Sequence, residues 1–164
     1  MPLLAEVIGL FDQAGDANAL LYTPLEAALT ARHTRCYSVE YSGGEAALAA
    51  FLGKVLADPV SHDLRIGGAP AWPQSAFYLD YGMKAGALDH EKETILAHYR
   101  NTIAGADPGF AIISLKISHR IYLFGEAGTE VHASRFVRDI VNPAIHTWQV
   151  TNATERSEAS SRSR

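Results

Sequence analysis

Leu48, Phe51, Leu52, Val55 and Leu56 recur at the i, i+3, i+4, i+7, i+8 spacing of one helix face, and Ala133, Phe136, Val137, Ile140 and Val141 repeat that stripe at a shift of 85. Both stripes stop at a proline step, Asp58-Pro59 and Asn142-Pro143. Proline disfavours helical geometry in the residue before it and cannot donate the next helical hydrogen bond, so each stop has a mechanism. A short run with strand character follows each stop, "HDLRI" and "HTWQV".

The correspondence extends beyond the stripes. At the same shift of 85 Arg35 meets Arg120, Tyr37 meets Tyr122, Gly43 meets Gly128 and Glu45 meets Glu130. One residue is lost at the helix end, and a shift of 84 then places Pro59 on Pro143 and His62 on His146. The flanking segments pair more loosely at a shift of 71, Gly15 on Gly86 and Leu25 on Leu96. The step from 71 to 85 implies fourteen extra residues in the second copy. They include "GADPG", a loop, and extend "FAIISLKISHRIYLF" into two strands or one long bent strand.

Within "KAGALDHEKETILAHYR" (84–100), Gly86 supplies a tight bend, Asp89 stands at an N-cap position and Glu91 complements the helix dipole. Ile95, Leu96, Tyr99 and Ile103 form the expected buried stripe, with Glu91, Thr94, His98 and Asn101 toward solvent. In the first copy Thr23-Pro24-Leu25-Glu26 reads as a capping box, predicting a helix that starts at Thr23. Each copy therefore reads strand, helix, strand, helix, strand: a first unit over 1–70, a second over 71–150, the irregular linker "GGAPAWPQ" between them, and a disordered tail at 151–164. Crossovers of this length suit an α+β class with both helices on one side of an open sheet, two tandem ferredoxin-like βαβαβ units.

Composition narrows the partners. A net charge of −4 with no basic stripe argues against nucleic acid. The apolar runs break well short of the ~18 residues of a membrane span, and "MPLLAEVIGLFDQ" lacks the layout of a signal peptide. A single cysteine, Cys36, excludes an internal disulfide, and together these features place the chain in the cytoplasm.

Candidate chemistry is sparse. His90 and His98 are eight apart, not the i, i+4 pair that clamps zinc, and no metal is assigned. His62 and His146, at equivalent places after the prolines, are read as sharing a turn hydrogen bond. Cys36 lies in a strand pattern and reads as a buried small hydrophobe. "SGGE" and "IGGAP" lack phosphate-loop spacing and read as turns. Asp89, Glu91 and Glu93 at a helix start are explained by the dipole rather than acid–base work. No catalytic or cofactor-binding residue is assigned.

The order strand, "KAGALDHE", helix, then a strand ending in "RIYLF" resembles the first half of PurS, the small subunit of phosphoribosylformylglycinamidine (FGAM) synthase. "GKVLADPVSHDLRI" and, less closely, "RDIVNPAIHTWQV" resemble the second half of that family. Two such units in tandem are similar to the N-terminal region of some long-chain FGAM synthases. In the first copy the Lys-x-Gly-x-x-Asp turn is replaced by "FDQAGDANALLYTPLEAAL", of which Gly15 and Asn18 alone carry over. The resemblance implies a non-catalytic accessory component that joins the glutaminase and synthetase subunits and helps ammonia pass, with self-association among its contacts and ATP and substrate bound elsewhere. It also implies an approximate two-fold axis between the units, since a tandem can reproduce the contact of a dimer. The alternatives are a small-molecule-binding regulatory domain of the same fold and a small enzyme with its site at the junction of the two sheets.

Overall fold

Two long strands, β3 (Thr30–Gly43) and β6 (Phe110–Phe124), run antiparallel down the middle of the molecule, from Thr30 opposite Phe124 to Gly43 opposite Phe110, with one register shift between Glu40 and Tyr41. The second of these is a single continuous strand. The computed structural model describes residues 2–152. Within them the chain also forms β1 (Leu3–Gly9), β2 (Gly15–Asp16), β4 (His62–Ile66), β5 (Phe77–Met83), β7 (His146–Asn152), and the helices α1 (Glu45–Leu56), α2 (His90–Gly105) and α3 (Ala133–Ile140). The seven strands make one antiparallel sheet in the order β4-β1-β3-β6-β5-β7, with β2 paired to β3, so the class is α+β. Of the segment 151–164, Thr151 and Asn152 belong to β7, and the rest of the expected tail lies outside the described residues.

Alternation along the strands assigns the two faces. Leu3, Ala5, Tyr37, Val39, Leu115 and Ile117 point to one side, where Leu48, Phe51 and Leu52 of α1 and Ile95 of α2 cover them. Farther along the same side, Ala31, Phe77, Ile121 and Leu123 pack under Phe136 of α3 and Ala17. The helices thus share one face, and each buried Leu or Phe there contributes about 1.5–3 kcal/mol. The other face carries a small cluster of Ile8, Tyr78 and Tyr122 beneath Ala71 and Trp72 of the linker. At the β3 exit Gly43 holds φ +93°, and a Cβ there would meet the Gly109 carbonyl oxygen at 2.6 Å. Only glycine fits both conditions.

The turns after α1 and α3 are bonded alike. The His62 and His146 amides donate to the carbonyls of Asp58 and Asn142, each at 2.8 Å. Their ring Nδ1 atoms accept from the Asp58 and Asn142 amides, each at 3.1 Å, so the two histidines do share a turn hydrogen bond. Beside these turns the Leu10 amide donates to Ser61 and the Lys84 amide to Ile145, both at 2.8 Å.

Several expectations are corrected. No helix starts at Thr23; a 3-10 turn occupies Ala17–Leu20, and residues 21–29 form a loop. Asn18 is the reason: its side-chain oxygen accepts from the Leu25 amide (2.7 Å) and its Nδ2 donates to the Ala27 carbonyl (2.9 Å), which takes backbone groups that a helix would use. The 85-residue shift also fails along the strands. Tyr37 packs on the helix face while Tyr122 lies on the other, so they are not equivalent. The bonded turns place His62 on His146 and so Ile66 on Val150 (150 − 66 = 84). The pairings Ala5–Ile66 and Leu79–Val150 then put β1 on β5 at a shift of 74 (79 − 5), and Leu3–Val39 with Phe77–Leu123 put β3 on β6 at 84 (123 − 39). The insertion is then ten residues (84 − 74), not fourteen. Gly15 sits in β2 without the left-handed φ of +84° that Gly86 adopts. Ile103, expected in the α2 stripe, is exposed.

Candidate functional site

On the helix face the apolar surface is interrupted. Between the two cores, β3 presents His33 and Arg35 and β6 presents His119, where the alternation would otherwise place apolar side chains. With Val55 and Leu56 of α1, Glu91 and His98 of α2, and Asp12 and His62 at one end, they line a cleft of about 670 Å³. Glu91 does not face solvent as its place in the first turn suggests. Its Oε1 accepts from the Tyr37 hydroxyl at 2.6 Å and from Arg35 Nη1 at 3.0 Å, tying α2 to the sheet. Burial, and then Glu91, push the Tyr37 phenol up from its ordinary range. Asp89 caps α2 as expected, accepting from the Lys92 amide at 3.1 Å.

The His33 and His119 imidazoles are neutral at pH 7. The rings of His33 and His119 reach solvent through the cleft mouth, yet partial desolvation lowers both pKa values. Asp12 opposes the shift at His33; at His119 Arg35 adds to it and Glu91 opposes it. His62 uses Nδ1 as an acceptor, so the N–H of its ring is on Nε2, a donor there. His119 stacks on Tyr81 with ring centres 5.3 Å apart.

The opposite face holds a second, smaller concavity of about 330 Å³, floored by Cys36, Ser38, Ser118 and Gly82 and edged by Gly67 to Ala69. At one end Glu6, 3% exposed, gathers three hydrogen-bond donors and an ion-pair partner. The Thr34 and Tyr122 hydroxyls each stand at 2.6 Å, the Ala71 amide at 3.2 Å and Arg120 Nη1 at 3.6 Å. Arg120 forks onto Asp80 through Nε (2.6 Å) and Nη2 (3.1 Å), and its guanidinium lies 4.3 Å from the centre of the Tyr78 ring. Burial tends to lower the Arg120 pKa, but Asp80 outweighs it. Burial and Glu6 raise the Tyr122 pKa. Burial also pushes the half-buried Cys36 thiol up to about 12, so it is not a thiolate nucleophile.

The linker is a strap over this face, held where its Ala71 amide meets Glu6 and the Tyr122 hydroxyl (3.0 Å). Sequence reasoning passed over Glu6, Asp80 and Arg120, although each is a charged residue inside an apolar strand. It also passed over His33 and His119; the signal was their place in the apolar alternation of β3 and β6. His90 and His98, weighed for their spacing, and Glu93, read as complementing the helix dipole, are exposed on α2. Among the described residues no three His, Cys, Asp or Glu side chains are grouped to hold a metal, and no helix is long and apolar enough to cross a membrane. Glu6, Asp80 and Arg120 of the open face are paired with one another, whereas the cleft offers ring nitrogens without partners among the described residues; this arrangement suits binding better than activation of a nucleophile. No family model, curated protein or solved structure matches the chain.

Proposed function

We propose that the chain is a covalent tandem of two ferredoxin-like units related by an approximate two-fold axis, and that it works as a PurS-like accessory component of FGAM synthase, joining the glutaminase and synthetase subunits in the cytoplasm. The observation that supports this most is the recurrence of one bonded turn at Asp58–His62 and Asn142–His146, within a strand order, β4-β1-β3 then β6-β5-β7, that reads the same from either edge. A scaffold with two related halves offers two related docking ends. Exposed Phe11 and Val60 mark one, and exposed Leu88 and Ile145 the other. Tagged protein is expected to recover both larger subunits from its native host, and Phe11→Asp with Leu88→Asp to abolish that recovery. In a deletion strain the glutamine-dependent synthase activity is expected to fail before the ammonia-dependent one. Purine-independent growth of that strain, or recovery of neither subunit, would sink the assignment.

A second reading, a small-molecule-binding regulatory domain, is favoured by the polar cleft. A break in the core with unpartnered imidazoles forfeits apolar burial, and such local violations concentrate at functional sites. Ligand-induced shifts of the His33 and His119 ring resonances test it, and their absence across a broad ligand panel counts against it.

A further inference from the structure

We propose that the cleft between α1 and α2 binds a small oxyanion, a sulfate-, phosphate- or carboxylate-type group, with Arg35 and the Nε2–H of His62 as donors and with proton uptake by His33 and His119. The proposal rests on the binding-domain reading above and names the class of ligand. Arg35 donates one N–H to Glu91 and also interacts with the Tyr37 hydroxyl, and with about half of its side chain exposed the guanidinium, which carries five N–H donors, can still take an anion. The rings of His33, His98 and His119 likewise have no hydrogen-bond partner among those residues, and each becomes a double donor on protonation.

Charge decides when the site is active. At pH 7 the Arg35–Glu91 pair is internally balanced and Asp12 leaves the cleft with an excess negative charge. His33 is faced by Asp12 and by His62 from the β4 turn; His119 is faced by Arg35 from β3, Glu91 and Asp89 from α2, Tyr81 from β5 and His146 from β7. The formal charges of Asp12, Glu91 and Asp89 against Arg35 leave this set negative by two, and two added protons cancel that excess, which removes the repulsion an anion would meet. Because both imidazoles start below their ordinary pKa and an anion raises them, anion affinity increases as pH falls through the range in which the two rings take up protons.

Sulfate is a suitable probe because it does not titrate in this range. Calorimetric titration at constant ionic strength, in buffers of different ionisation heat, is expected to show saturable binding with net proton uptake and an affinity about tenfold higher at pH 5.5 than at 7.5. Arg35→Gln is expected to weaken binding about tenfold or more. Asp12→Asn, an exposed change that leaves the core intact, should strengthen binding, and Lys116→Gln on the opposite face should leave it unchanged. Binding without proton uptake, or equally weakened by Lys116→Gln, overturns the proposal. Methylammonium or acetamide shifting the His33 and His119 ring resonances where sulfate does not would overturn the oxyanion class while keeping the cleft as a binding site. Silence toward all three probes would overturn both.

Discussion

Glu6 sits in "LLAEVIG", a run otherwise apolar, and its environment comes from far along the chain: Tyr122 is 116 residues away and Ala71 is 65. Burying a carboxylate is tolerable only because every donor around it is satisfied at once. Removing it would leave the Thr34 and Tyr122 hydroxyls without their acceptor, take an ion-pair partner from Arg120 and leave the Ala71 amide held by the Tyr122 hydroxyl alone. Glu6→Ala is therefore expected to cost about 3–5 kcal/mol in urea unfolding. Glu6→Gln should fall between that and wild type, since one amide oxygen still accepts while the NH2 group meets donors. A loss under about 1 kcal/mol for Glu6→Ala would show that the cluster is solvated and that the linker strap is not held through it. Asp89 illustrates the contrary case. Its partner, the Lys92 amide, is three residues away, so the cap was legible from local sequence, whereas nothing adjacent to Glu6 announces Tyr122 or Ala71.

The helices with the clearest periodicity were also the easiest elements to read: α1 and α3 bury Phe51 and Phe136 as their stripes predict, and both end before their prolines. Phe136 is fully buried against Phe77, with ring centres 6.0 Å apart, so Phe136→Ala is expected to lose about 3–5 kcal/mol, read as a lower urea midpoint at unchanged slope. A loss well under 1 kcal/mol would mean that α3 does not close the second core. The strands were harder, because side chains alternate between faces and identity alone does not say which face a residue takes. Matching Arg35 with Arg120 and Tyr37 with Tyr122 slipped the alignment by one residue and exchanged the faces. Hydrogen-bonded register, not residue identity, fixes the true shift. The missing helix near Thr23 has a similar lesson, since its local start signal was sound but Asn18, Asp139 and Arg135 bind the loop's backbone from outside it.

At the scale of the molecule, the two halves recognisable in sequence are not two independent cores. The first core joins Leu3, Val39 and Leu52 of the first half to Ile95, Leu115 and Ile117 of the second, and the second core joins Ala17 and Ala31 to Phe77, Leu123 and Phe136. The longest pairing in the sheet, β3 with β6, crosses between the halves. Separating the chain at the linker would expose both faces of that pairing and open both cores. A segment of about 70 residues can bury only ~60% of the surface its unfolded chain exposes, which is marginal for stability, and each half would also lose one side of each core, so neither is expected to fold alone. Residues 1–70 and 71–152, produced separately, should give little near-ultraviolet circular dichroism and poor amide protection. Mixed at equal concentration, they should recover both signals as a one-to-one complex, since the β3–β6 ladder and the two shared cores remain available between chains. The linker strap would be cut in that experiment, so the complex should be weaker than the intact chain and its midpoint should rise with concentration. If either half folds cooperatively by itself, the tandem consists of two autonomous units that happen to share a sheet; if the mixture stays unfolded, the connection through Ala71 to Glu6 contributes more to stability than the strand pairing does.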